Sequence, residues 1–242
     1  MKSRLPFALA LAVILAAGWA LVPGSSFSQD TDTKDTKDTK EMKDTKGMKA
    51  DKDVKAAAEG TGAKVGETAP DFTLTDLDGK EHHLADYTKE KKVVVLEWFN
   101  PDCPFVVKHH LLTHNMNATY AGAAEHDVVW LAVNSGAPGK QGTGLERNKK
   151  AVEEFAIAYP LLLDEDGTVG KLYGAKTTPH MFIIDKDGTL VYAGAIDNAP
   201  NPDPKQLGDV NYVNKALEQC LAGKPVDKAT TKSYGCSVKY AS

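Results

Sequence analysis

A chain of 242 residues and 26.0 kDa is long enough for one sizeable core with an appendage, and too short for two ordinary domains plus a long tail. Its 29 Lys+Arg against 33 Asp+Glu leave a net charge of -4, which offers no basic footprint for nucleic acid. Three cysteines cannot build a disulfide scaffold, and an odd count leaves at least one thiol unpaired or paired only transiently, which points to redox chemistry.

The chain opens with Lys2 and Arg4, then an uncharged apolar run from Leu5 to Val22, a helix-breaking Pro23-Gly24, and small residues at Ser26 and Ser28. This grammar predicts an export signal over residues 1-28, cleaved before Gln29, or else left in place as an N-terminal membrane anchor over residues 5-22. Either way the remainder is expected outside the cytoplasm, periplasmic or extracellular, where disulfides persist. Residues 29-64 then shift to Asp, Thr, Lys and small side chains, with lysine at every third position from Lys34 to Lys55. A period of three fits neither an amphipathic helix nor a strand, and almost nothing apolar is available to offset ordering entropy, so a disordered linker is predicted.

Residues 65-242 read as one globular domain. Phe72 to Thr75 and Glu81 to Leu84, joined through Asp78-Gly79, predict a hairpin. Lys91 to Phe99 is a near-continuous β-branched apolar run, the pattern of a central strand covered on both faces. A helix is predicted from Pro104 to about Ala124, a second buried strand at Val128 to Val133, and a helix from Leu145 to Tyr159 stopped by Pro160. Short strands follow at Leu161 to Leu163, Met181 to Ile184 and Leu190 to Ala193, and a closing helix at Val213 to Leu221. Strands alternating with helices before a final hairpin imply an α/β fold, a central mixed sheet flanked by helices, with functional loops at strand C-termini.

Asn100-Pro-Asp-Cys103-Pro-Phe-Val106 sits at such a C-terminus. A cysteine opening a helix faces unpaired backbone N–H groups and the positive end of the helix dipole, a setting for a reactive thiol rather than a packing one. Pro104 suits the first helical position, where its missing N–H costs nothing.

Three segments carry a family likeness: Val93 to Cys103, Thr178-Pro179 with Met181 to Gly188, and the opening Gly66-Glu-Thr-Ala-Pro-Asp-Phe-Thr-Leu74. Together they resemble the thioredoxin superfamily, in its redoxin branch with the alkyl hydroperoxide reductases and peroxiredoxins. Cys103-Pro-Phe-Val106, Thr178-Pro-His180 and Gly235-Cys-Ser-Val-Lys239 are similar to a peroxiredoxin-like secreted group. The resemblance implies a thioredoxin-like fold with Cys103 as attacking thiol and Pro179 as a cis-proline facing it. Thr178, Pro179 and Pro104 would then line a substrate groove, with the Thr178 backbone free to pair with an extended substrate. Glu97 falls where thioredoxins keep a buried carboxylate that can shuttle a thiol proton; a carboxylate at a strand end with access to water is the other reading.

Two departures limit the likeness. Val106 replaces the second cysteine of Cys-x-x-Cys, so a resolving thiol must come from elsewhere. The peroxiredoxin signature also fails, since it needs proline at Leu96 and a hydroxyl at Asn100, and the only arginine beyond the leader is Arg147, at a helix start. Cys236, in a polar glycine-containing tail read as mobile, is the candidate resolving thiol, although a static Cys220–Cys236 bridge is an alternative. Cys220, among helical apolar neighbours, reads as a core cysteine.

His110 and His114 at i, i+4, with His109 and His180, could in principle suit copper or zinc, but the ligand set is incomplete and exposed helix histidines are expected. The reading is an exported thiol oxidoreductase acting on a protein or small-molecule disulfide or on a peroxide, recharged by a reducing thiol partner, with no bound cofactor and no metal. The competing class is a non-catalytic binding module or copper chaperone using the groove beside Pro179.

Overall fold

The computed structural model describes residues 62–242. The leader or anchor at 1-28 and nearly all of the linker at 29-64 lie outside the described residues. The last linker residues already engage the domain, Ala63 donating its N–H to Leu172 O at 2.9 Å.

A seven-stranded mixed sheet organises the domain, in the order β2-β1-β5-β4-β3-β7-β8. Its strands are β1 (Thr73–Asp76), β2 (Glu81–His83), β3 (Val94–Trp98), β4 (Val129–Asn134), β5 (Leu161–Leu163), β7 (His180–Ile184) and β8 (Leu190–Gly194). β3, β4 and β5 run parallel, while β7 pairs antiparallel with β3 and β8 folds back on β7. Two further strands of two residues each, β6 (Thr177–Thr178) and β9 (Cys236–Ser237), form a separate antiparallel ladder.

The alternation along β3 explains how both faces are covered. Val94, Leu96 and Trp98 point into one buried cluster with Phe72, Tyr173, Phe182 and Leu190; Val95 points into the other, with Trp130, Leu161, Met181 and Ile183. All five residues of β3 are buried, as expected of a central strand. The helices are α1 (Leu84–Lys89), α2 (Pro104–Val107), α3 (Asn115–Ala124), α4 (Leu145–Glu154), α5 (Thr168–Leu172) and α6 (Tyr212–Leu221).

Two sequence expectations about helices are corrected. The helix expected from Pro104 to Ala124 is broken: α2 passes into a π-type turn over Lys108–Leu112, and His114, at φ 52°, restarts the chain as α3. The helix expected to reach Tyr159 ends at Glu154, because Asn117 Nδ2 bonds the carbonyl of Phe155 at 2.8 Å and Ala156 turns into positive φ, which drops Ile157 and Tyr159 into the core.

Candidate active site

The site begins where β3 ends. Asn100 shapes the turn: its Oδ1 accepts from Asp102 N at 2.9 Å, and its carbonyl accepts from Cys103 N at 3.1 Å. Its Nδ2 donates to Gln141 O at 3.0 Å, against a loop in which Gly142 (φ 74°) leaves room for the amide that any Cβ would fill. Cys103 is the extended residue preceding α2, with Pro104 at the first helical position and exposed. Its thiol is fully buried and donates to Thr178 O at 3.0 Å.

That carbonyl belongs to the residue before Pro179, and the Thr178–Pro179 peptide is cis. Cys103, Thr178 and Pro179 are therefore brought together as the family likeness implied. Cys236 joins them. β9 pairs with β6 so that Cys236 lies opposite Thr178, whose carbonyl the Cys103 thiol bonds, and Ser237 opposite Thr177, which brings Cys236 and Cys103 to the same carbonyl. Burial, then the neighbouring Cys103, push the Cys236 thiol up to about 12, so it stays protonated at neutral pH. All three cysteines are free.

The tail was read as mobile, and here the fold corrects the sequence: the strand around Cys236 is docked. Tyr234, two residues upstream, places its hydroxyl between His109 Nε2, at 3.0 Å, and Asp197 Oδ1, to which it donates. Its ring packs beside Phe105 of the Cys103 motif, centroids 5.8 Å apart. Cys220 is elsewhere. It is half-buried beside Asp185 and Lys186, past the far end of β7 from Thr178, and burial pushes its thiol up to about 11. A static Cys220–Cys236 bridge is not the arrangement present.

Glu97 is wholly buried, which removes the reading of a solvated strand-end carboxylate. Oε1 meets His110 Nε2 at 2.7 Å, and Oε2 accepts from Tyr159 OH at 2.8 Å and Trp130 Nε1 at 3.3 Å. Burial holds the Tyr159 phenol well above its ordinary range, so it remains a donor. Glu97 thus sits in a dry polar cluster beneath the site and makes no hydrogen bond to Cys103.

The histidines were expected on an exposed helix face; His109 and His110 are instead fully buried and committed, to Tyr234 and Glu97. His114 is exposed, and His180, buried after the cis-proline, packs tilted against Phe182, ring centroids 4.4 Å apart. The four do not converge on one point, and among the described residues no cluster of His, Cys, Asp and Glu fit to hold a metal is found.

Several contributors went unread in the sequence. Arg147 reaches from α4 to the loop before Cys103, bonding Asp102 Oδ1 through Nε at 2.9 Å and contacting it through Nη2 at 2.8 Å. Lys108, entirely buried, gives its ammonium to the carbonyls of Ala199, Asn201 and Gln206 at 3.2, 2.7 and 2.8 Å, pinning that loop to the turn after α2. Burial lowers its pKa. Only the run of helix-compatible polar residues at 108 to 110 hinted at either histidine or lysine, and nothing in their spacing showed them facing inward.

With this geometry in place, comparison with known proteins becomes informative. The redoxin family model matches residues 64–210, well over half of the chain. The chain belongs to the redoxin family. This redoxin is 36% identical over 132 residues to a thiol-disulfide oxidoreductase ResA of Geobacillus thermodenitrificans, covering 54% of the chain and 70% of that relative. Its fold is similar to a hypothetical protein of Sinorhizobium meliloti (TM-score 0.64, 30% identity, 75% of this chain and 97% of that one). It is also similar to an uncharacterized conserved protein of Geobacillus kaustophilus (TM-score 0.60, 31% identity, 74% and 93%). Family and relatives together make the redoxin a thiol-dependent oxidoreductase of thioredoxin-like fold.

Proposed function

We propose that this redoxin is an exported two-cysteine thiol oxidoreductase in which Cys103 is the nucleophile and Cys236 resolves its product. The observation that carries the reading is the convergence of both thiols over Thr178 and cis-Pro179, in a chain whose local second cysteine is Val106.

Against a disulfide, Cys103 thiolate attacks one sulfur and expels the other as a thiolate. Cys236 then attacks the Cys103 sulfur of the mixed disulfide, its proton passes to the departing thiolate, and an internal disulfide remains. Against a peroxide, Cys103 takes the distal oxygen and becomes a sulfenic acid while the alcohol or water leaves; Cys236 displaces that oxygen as water. Both routes oxidise the cysteine pair by two electrons, which a reducing thiol partner restores. Thr178, Pro179 and the exposed Pro104 form the substrate rim. To Glu97, acting with His110, we assign the handling of the thiol proton from below. Export rests on the leader grammar of residues 1-28, with 29-64 as spacer and 65-242 as the working domain.

The test is peptide mapping after mild oxidation by peroxide or a small disulfide, comparing wild type with Cys236→Ser. A Cys103–Cys236 crosslink in the wild type, replaced in the variant by a sulfenic acid or mixed disulfide on Cys103, is the expected result. A Cys220–Cys236 crosslink with Cys103 free in both proteins overturns it.

A further inference from the structure

The edge of β6 beside cis-Pro179 is the place for an extended partner to pair, and in this chain it is already taken. β9 fills it, with Cys236 opposite Thr178. Gly235 makes the fit possible: at φ 133° it lies so close that a Cβ would run into the Thr178 carbonyl oxygen. Such a conformation and such a contact are open only to glycine.

The strand is fastened on both sides of the cysteine. Upstream, Tyr234 OH joins His109 and Asp197, and Ala195 N donates to Thr231 Oγ1 at 2.8 Å. Downstream, Val238 N donates to Lys176 O at 3.2 Å and Ala137 N to Lys239 O at 2.8 Å. Tyr240 closes the run, its hydroxyl on Ala175 O at 2.8 Å and its ring over Gly167 and Gly170, where added Cβ atoms would collide with it. Beneath this strand Cys103 has 0% exposure, whereas Cys236 is half-buried and faces outward in part.

Two kinds of oxidant therefore meet different obstacles. A polypeptide that pairs with β6 must strip away the whole strand with its fastenings. A small molecule needs only that side chains beside the half-buried Cys236 move aside, with the strand left in place. We propose that the docked tail from Tyr234 to Tyr240 is a selectivity element, which reserves the β6 edge for Cys236 and confines Cys103 to oxidants too small to need backbone pairing. This rests on the reading of Cys103 as nucleophile. The step is the exchange already described: Cys103 thiolate displaces one thiolate from the small disulfide, Cys236 displaces the second, and its proton leaves with that thiol.

The test uses the full chain, reduced, with two probes that share one leaving group. One is bis(2-hydroxyethyl) disulfide; the other is a synthetic extended peptide whose single cysteine carries the same 2-mercaptoethanol disulfide. Loss of the free Cys103 thiol is followed by mass spectrometry for wild type, Gly235→Ala and Tyr240→Ala. The second variant loosens the far end of the strand without touching the register at Cys236, so it carries the test if Gly235→Ala does not fold. In the wild type the peptide should react more slowly than the small disulfide by at least about tenfold, the equilibrium factor of one or two hydrogen bonds. Either variant should raise the peptide-to-small ratio by a similar factor. Equal rates with both probes in the wild type, or a ratio unmoved in the folded variants, overturns the selectivity proposal. A Cys103 inert to both probes in every protein overturns the nucleophile reading instead.

Discussion

His109 and His110 are neighbours in sequence, both buried, and they serve opposite sides of the same cysteine. His110 turns down, into a cluster with Glu97, Tyr159 and Trp130 that is closed to water. His109 turns to the tail, meeting Tyr234, with Asn115 Nδ2 at 3.4 Å from its Nδ1. The lower region is core in everything but polarity, flanked by the rings of Phe99 and Phe155, which lie 5.6 and 5.7 Å from the His110 ring. The upper region is a polar clasp on a strand of two residues. Consecutive residues on a helical turn already point about 90–100° apart, so the two rings leave the turn over Lys108–Leu112 toward different partners. A buried polar cluster is costly to break because its members lose every alternative partner. The clasp costs less, because it hangs on one half-buried hydroxyl whose partners, His109 and Asp197, keep other contacts with Asn115 and Ala199.

The largest expected effect follows from that contrast. Glu97→Ala leaves the donors of Tyr159 and Trp130 and the Nε2 of His110 without a carboxylate, in a place water does not reach. A loss of about 3–5 kcal/mol of unfolding free energy is expected, the range for removing one partner of a buried ionic or strongly hydrogen-bonded set. Urea unfolding followed by tryptophan fluorescence measures it, with Trp130 as a reporter inside the cluster. A loss below about 1 kcal/mol would mean that the lower region is solvated or adaptable, and the contrast with the tail would collapse.

The sequence made the framework legible and left this division hidden, for a physical reason. β3, β4 and β7 were visible because a strand buried on both faces must be apolar along its length, whereas β5 showed as a short apolar run after Pro160 and β8 through the Asp187-Gly188 turn before it. Cys103, Thr178 and Pro179 were visible because local grammar and family likeness coincide on them. By contrast, Lys108-His109-His110 reads as a polar helix face, and its burial depends on partners from distant segments: the carbonyls of Ala199, Asn201 and Gln206, the hydroxyl of Tyr234 and the carboxylate of Glu97. Local periodicity cannot report a partner 125 residues away. The tail was misread for the same reason. Its polar composition suggested mobility, but it is held by backbone pairing, by Tyr240 landing on Gly167 and Gly170, and by Tyr234 bonding His109 and Asp197, all far from it in sequence.

Acid provides a second, smaller way to probe the upper region. Burial holds both His109 and His180 down to about 4, against an ordinary value of 6.5. For His109, Asp197 and Glu97 oppose the effect of burial while Lys108 and His110 add to it; for His180, Lys176 adds to it. Between about 4 and 6.5 the unfolded chain takes up protons on these rings and the folded chain does not, so folding stability rises with pH there. It is fully present above about 6.5, declines as pH falls through that window, and levels off below about 4, with each ring contributing at most about 3 kcal/mol. Denaturant melts at closely spaced pH values should show the decline, and His109→Asn should remove part of it. A flat profile from pH 7 to 4 would mean that the two rings are solvated.

The smallest effect expected is also the most local. Tyr234→Phe removes one hydroxyl that joins His109 to Asp197, and leaves the ring against Phe105 and the strand pairing at Cys236 in place. Both orphaned partners are buried, but each keeps another contact, His109 Nδ1 with Asn115 Nδ2 at 3.4 Å and Asp197 Oδ1 with Ala199 N at 2.9 Å, so only about 1–2 kcal/mol is expected in global stability. The informative readout is native-state hydrogen exchange, which resolves opening of one segment from unfolding of the whole. Amides bonded along the tail, such as Val238 N on Lys176 O, should exchange faster in the variant, while those of β3 and β4 keep their wild-type rates. If protection falls equally in the tail and in the central strands, the clasp is part of the core, and the two regions around Cys103 open and close as one unit.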